Sequence, residues 1–235
     1  MAVELTDQLR DGTTKAHTMA ENTGFASVFS KRVVVKSIYR RLVIDPWNVY
    51  SAMVKDILVL RGGPVVGPIN FTALNRRDYL GGEDYLECNW NMLSKPISST
   101  KKYLKETHNL TGGITSLMVF HPYTRYIEDL SVGQFLKTTA QRAMTLGERH
   151  GLHFYVFDAI PDAKISNVNC RPILDSLPID QFMAERIVKE PKNAFHFNML
   201  MFKELEGNLN ATIGKVLCSV LPLGQREGIT QTAAA

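Results

Sequence analysis

The chain has 235 residues, 45% of them hydrophobic and 21% charged, with a net charge of +4. This length fits one large domain or at most two small ones, and the even spread of aliphatic and aromatic residues excludes a disordered chain or a low-complexity fibre. The positive balance is mild, and there is no basic stripe of the kind nucleic acid demands. Pairs such as Arg40-Arg41 and Lys101-Lys102 read as solvated helix faces.

Apolar residues recur mostly three and four apart, the helical spacing. Leu5, Leu9, Ala16 and Ala20 predict a first amphipathic helix, with Thr6 or Asp7 as its cap. Val49, Met53, Ile57 and Leu60 predict another, stopped by Arg61-Gly62-Gly63-Pro64. A short polar helix is expected near 101–107, ending before Gly112-Gly113, and a longer one from about Thr115 to Thr145. The run from His153 to Phe157 has strand character, but it is short and isolated and is read as an extended connection. Phe195, Phe202, Leu205, Leu209, Ile213, Val216 and Val220 then keep one helix face apolar. The fold class is therefore all-α, with a single domain over residues 1–223 and a disordered tail over 224–235.

Cys88, Cys170 and Cys218 are far apart with no C-x-x-C, which excludes a zinc ribbon or a thioredoxin-type pair and fits a reducing compartment. The N-terminus lacks a secretory signal, and no apolar run approaches the ~20 residues that cross a bilayer. A soluble, cytoplasmic protein without a membrane anchor is expected. There is no G-x-G-x-x-G, Walker A loop, G-x-S-x-G, H-E-x-x-H or Glu-x-x-His, and His150 and His153 lack an evident third metal ligand.

His17 shares a helix face with Thr13, Ala20 and Glu21. Glu21 can accept a hydrogen bond from the imidazole Nδ1–H, leaving Nε2 to bind a metal. On these residues alone, a surface or core histidine is the commoner reading. A second segment changes the balance. His121-Pro-Tyr-Thr-Arg-Tyr-Ile-Glu-Asp-Leu-Ser-Val-Gly-Gln134 resembles the distal-helix signature of haem oxygenases, H-x-Y-T-R-Y-L-G-D-L-S-G-G-Q, agreeing at ten positions. Lys15 to Phe25, with Ala-His-Thr-Met-Ala-Glu-Asn, is similar to the same family's proximal-ligand helix. Leu177-Pro-Ile-Asp-Gln181, Glu185-Arg-Ile-Val188, Ala194-Phe-His-Phe-Asn198 and Phe202-Lys-Glu-Leu-Glu-Gly-Asn208 continue the match, as do Tyr50-Ser-Ala-Met53 and Leu74-Asn-Arg76. The wording is nearest the soluble cyanobacterial and algal type.

The resemblance implies a helical fold with haem b sandwiched between a proximal and a distal helix, as both substrate and cofactor. It implies opening of the α-meso carbon to give biliverdin, carbon monoxide and ferrous iron from O2 and electrons. Carried over, His17 is the iron ligand and Glu21 its orienter. Asp129 anchors the distal water network that delivers a proton, supported by Tyr50 and Arg125. Arg10, Tyr123 and Arg171 contact the propionates, while Phe195, Asn198 and Phe202 line the pocket. Gly133 is the distal-helix glycine retained beside the haem. Family members of the photosynthetic type take electrons from ferredoxin, an acidic protein to which a net charge of +4 is suited. An algal member would work in the plastid stroma.

The chain departs from the pattern at the distal helix, where Glu128 and Val132 replace glycines that let the backbone approach the porphyrin. A carboxylate desolvated there costs several kcal/mol unless paired (about 2–7 for an unpaired polar group, more for a charge). Thr14 and Asn167 stand where relatives carry lysines, and Val54 replaces a helix carboxylate. Pro46, Pro172 and Pro191 fall within expected helices, where an interior proline costs ~3 kcal/mol or more. Three readings follow: a haem-degrading monooxygenase, a haem-sequestering protein of the same fold with turnover impaired by Glu128 and Val132, and a helical interaction protein without haem.

Overall fold

Helices form where the three-and-four spacing of buried side chains persists, and they stop at glycine- and proline-rich breaks. The computed structural model describes residues 4–21, 36–75, 95–146, 151–157, 160 and 170–220. The expected disordered tail lies outside them. The long helices are α1 (Leu5–Glu21), α2 (Lys36–Leu60), α3 (Ser98–Gly112), α4 (Phe120–Met144) and α5 (Gln181–Val220). Residues 170–175 are also helical. There is no strand among the described residues, and the segment expected to be extended forms a 3-10 turn at His153–Tyr155, extended only from Val156. No described helix is long and apolar enough to cross a membrane.

α5 organises the fold, because it packs against α1, α2, α3 and α4. Its buried residues Ala184, Ile187, Ala194, Phe195, Asn198, Met201 and Leu205 follow the helical period. The helix starts at Gln181, well before the apolar run read from Phe195, and its backbone passes through Pro191. Asp180 caps it, accepting the Met183 N–H at 2.7 Å. On α1, Leu5 and Leu9 are fully buried. Gly12 lets α1 lie close on α5, since a Cβ there would meet Val188 Cγ1 at 2.5 Å.

The N-termini of α1 and α3, unlike that of α5, are capped by side chains distant in sequence, and this corrects the caps expected for α1. Thr6 lies inside the first turn of α1, and Asp175 accepts both its N–H at 2.8 Å and its hydroxyl at 2.9 Å. At the start of α3 the residue in the cap position is Ile97, which has no side-chain acceptor. Asp45 of α2 accepts the Ile97 N–H and the Thr100 hydroxyl, each at 3.0 Å. Glu204 of α5 accepts the Ser98 and Ser99 N–H groups and the Ser99 hydroxyl. Burial works to raise the Glu204 carboxyl, but these hydrogen bonds outweigh it and hold the group below its ordinary range.

Pro46 does not break α2, which runs on to present Tyr50 and ends at Leu60 as expected. The proline takes one donor from the ladder, and the side-chain amide of Asn48, two residues further along, donates to the Ile44 carbonyl at 2.9 Å. Pro172 lies within the helical 170–175 segment. Ahead of α4, Thr115–Val119 is a 3-10 turn and not the start of the helix. α4 ends on Thr145, the only non-glycine residue at positive φ among those described, at 52°. A β-branched residue is strained there by about 1–2 kcal/mol. Thr145→Gly is therefore expected to stabilise the chain by about 1 kcal/mol in urea unfolding. An unchanged or lowered midpoint would refute the strain.

Candidate active site

α1 and α4 each dock on α5, and their sequence positions place His17 on the former and Asp129 on the latter. Glu21 is the last residue of α1, and Glu128 and Val132 lie four apart on α4. The side chains of these five residues lie outside the described set, so their expected roles are carried by helix and register alone.

At the N-terminal half of α1, Arg10 is about half exposed and bonds Asp7 at 3.0 Å and Asp11 at 3.2 Å. Its guanidinium is held more firmly charged by the Asp11 hydrogen bond first, then by the charges of Asp7 and Asp11. Tyr123 of α4, the second residue expected at the propionates, is half-buried. Arg171, the third, is exposed on the 170–175 segment, one turn from the Asp175 that caps α1.

Deeper in, Arg125 is buried on α4 and its Nη2 donates to the side-chain oxygen of Asn198, also buried, on α5. Arg125 Nε has no hydrogen-bond partner among the described residues. The guanidinium carbon lies 5.2 Å from the centroid of the Tyr103 ring on α3. The Tyr103 hydroxyl and His121 Nδ1 are 3.2 Å apart, within hydrogen-bonding distance. His121 is 2% exposed, and its pKa is pushed down to about 3, by burial first and by the Arg125 charge second.

Tyr50 is fully buried and meets Phe154 edge-on at 5.6 Å. Phe154 in turn meets Tyr155 edge-on at 5.0 Å. Gly133 faces that same turn, since a Cβ there would sit 3.3 Å from the Tyr155 ring. The 153–155 turn therefore spaces Tyr50 on α2 from α4. The expected residues Arg125 and Asn198 are brought together and Tyr50 is buried at its contact with Phe154, while Phe195 is buried and Phe202 half-buried on the same helix as Asn198.

These residues fit a flat, largely apolar ligand carrying acid groups at one edge. Aromatic side chains of α5 supply an apolar wall, and a buried guanidinium with an unused N–H supplies polarity on one side. Cationic Arg10 and Arg171 stand exposed on α1 and on the 170–175 segment, available to acid groups. Among the described residues no cluster could hold a bare metal ion. His150 lies outside them. Tyr103, Phe154 and Tyr155 were missed in the sequence because nothing in their spacing marks them. His121 stood in the quoted signature, but its burial was not legible.

The heme oxygenase family model matches residues 3–204. The chain belongs to the haem oxygenase family. Heme oxygenase 1 of a Nostoc species is 41% identical over 237 aligned residues, covering all of both chains. The heme oxygenase of Porphyra purpurea is 38% identical, over 99% of this chain and all of its own. The crystal structure of heme oxygenase-1 from a Synechocystis species, in complex with heme, superposes with a TM-score of 0.87 at 42% identity. That match covers 94% of this chain and all of the solved one. The all-α expectation holds, and haem cleavage is the activity of this haem oxygenase, with haem as both substrate and prosthetic group.

Proposed function

We propose that this chain opens haem at the α-meso carbon, yielding biliverdin, carbon monoxide and ferrous iron, with O2 and electrons from an acidic donor of the ferredoxin type. Haem lies between α1 and α4 in this reading. His17 holds the iron through Nε2, and Glu21, one turn on, fixes the imidazole through its Nδ1–H. Arg10, Tyr123 and Arg171 hold the propionates, and Phe195, Asn198 and Phe202 exclude water along α5, with Gly133 on the distal helix. Bound haem supplies the iron that activates oxygen and the macrocycle that is opened. Asp129, one turn beyond Arg125, holds water for proton delivery, while Arg125 and Tyr50 keep that water in place. Exposed Lys15 and Arg171 offer the positive charge that an acidic donor requires.

The observation that carries this reading is the buried Arg125–Asn198 pair, which joins α4, the helix of Asp129, to α5. The test is a haemin titration followed by ferredoxin, its reductase and NADPH in air. A Soret band saturating at one haem per chain, then bleaching as biliverdin absorbance grows, is the expected result. His17→Ala is expected to lose the imidazole-type spectrum. Saturation without bleaching would replace the enzyme reading with the sequestering one. No saturable band would overturn both.

A further inference from the structure

The turn that carries Phe154 and Tyr155 is tied down along its length. The Tyr39 hydroxyl of α2 donates to the Gly151 carbonyl at 2.8 Å, and Gly151 sits at φ 71°, where a side chain is strained. Leu152 is fully buried, and its carbonyl accepts the Tyr155 N–H at 2.9 Å. Phe154 meets both Tyr50 and Tyr155 edge-on. Tyr155 is 2% exposed, so its ring is closely packed and has little room to swing. Against this ring lies Gly133 of α4, where an added Cβ would stand 3.3 Å from Cδ1. Cδ1 is near the root of the side chain, so it does not yield as a flexible tip would. Gly133 is one helical turn from Asp129 and shares its face of α4.

We infer that the Tyr155 ring is the stop that sets where α4 rests over the distal side, which makes Tyr155 a positioning residue for ligands of the haem iron. The inference rests on the reading above, in which α4 covers the distal face of haem. A side chain at 133 fits only if something shifts by a few tenths of an ångström, and the tied turn leaves α4 as the part that moves. A displacement at residue 133 reaches Asp129, because close-packed helices pass strain along one turn with little loss. The bulk of the ring carries the effect and not its hydroxyl, since Cδ1 is common to tyrosine and phenylalanine.

Azide added to the ferric haem complex binds the iron on the side opposite His17 and reads the room beneath α4. Gly133→Ala pushes α4 off the ring, whereas Tyr155→Val removes the stop and lets α4 settle toward the turn. The two variants are expected to shift the azide dissociation constant in opposite senses, each about threefold, since sub-ångström displacements act strongly at a reacting centre. A loss of stability alone moves both the same way. The double variant is expected to return to within about twofold of the parent, and Tyr155→Phe to match it. In the haem-free chain, urea unfolding should show Gly133→Ala more favourable in the Tyr155→Val background than in the parent, by roughly fivefold in the ratio of folded to unfolded molecules. Azide affinities like the parent's in both single variants, or shifts in the same sense, overturn the inference alone. Should Gly133→Ala fail to fold, Tyr155→Val and Tyr155→Phe decide. A shift in the first without one in the second supports the stop, and any other result overturns it. A parent chain without a saturable Soret band overturns the haem reading and the inference with it.

Discussion

Gly12→Ala is expected to destabilise the chain by about 2 kcal/mol, roughly a thirtyfold fall in the ratio of folded to unfolded molecules, and to weaken haem binding with it. In an exposed helix the same change stabilises, because alanine is the better helix former by about 1 kcal/mol. Here the added Cβ would lie 2.5 Å from Val188 Cγ1, too close for any real contact. Valine is stiff about χ1, so its methyl cannot swing aside, and α1 must lift from α5 instead. His17 stands five residues further along the lifted helix, so the proximal side would move relative to α4. The measurement is urea unfolding of Gly12→Ala, Val188→Ala and the double variant. Trimming Val188 should recover most of the loss, giving a coupling of about 1–3 kcal/mol. If Gly12→Ala alone proved more stable than the parent, the close approach of α1 and α5 would be wrong.

Sequence spacing revealed those parts of the fold that are held by apolar faces. α1, the C-terminal half of α2 and much of α5 bury leucine, isoleucine and aromatic residues at the helical period, and all three were expected as helices. The poorly legible helix is α3, which buries Ser99, Thr100, Tyr103 and Thr107. α4 was expected nearly at its observed length, although it too buries polar residues, His121, Thr124, Arg125 and Thr139. Hydroxyls make this tolerable by bonding backbone one turn back, as Thr107 does to Tyr103 O at 3.0 Å and Thr124 to Phe120 O at 3.1 Å. Hydrophobic periodicity has no signal there, which is why α3 was expected only near 101–107. Caps made across the fold by Asp175, Asp45 and Glu204 are invisible for another reason, since local cap rules look only a few residues away.

The same contrast holds at the active site. Signature residues such as Tyr50, Arg125 and Asn198 could be named from the resemblance, and each lies buried. What supports them could not. Phe154 and Tyr155 occupy a turn whose alternating residues read as extended chain, yet they space α2 from α4 at Tyr50 and Gly133. The supporting ring of Tyr103 comes from a helix that shows no apolar pattern. Packing between elements remote in sequence sets these positions, and a single sequence does not record it.

The parent chain is expected to lose about 2 kcal/mol of stability between pH 6.5 and pH 5 through His121 alone, and about twice that by pH 3.5. Burial pushes this imidazole down to about 3, with the Arg125 charge adding to the effect. The unfolded chain binds the proton below the ordinary histidine value of about 6.5, whereas the folded chain refuses it until about 3. Within that window the unfolded state holds more protons, so stability falls as pH falls, and above it the group contributes no slope. Other buried acids act too. Burial raises Asp45 and Asp56, so each favours the fold on acidification through its raised value, while the lowered Glu204 opposes it. A comparison with His121→Gln cancels these shared terms. At pH 7.5 the variant should be the less stable, having lost the packing of His121 against Tyr103. By pH 5 that deficit should shrink by about 2 kcal/mol in urea unfolding, because glutamine takes up no proton. A difference that stays constant between the two pH values would mean that His121 titrates normally in the fold. The buried polar face joining α4 to α3 would then be open to water, and the environment assigned to Arg125 would fall with it.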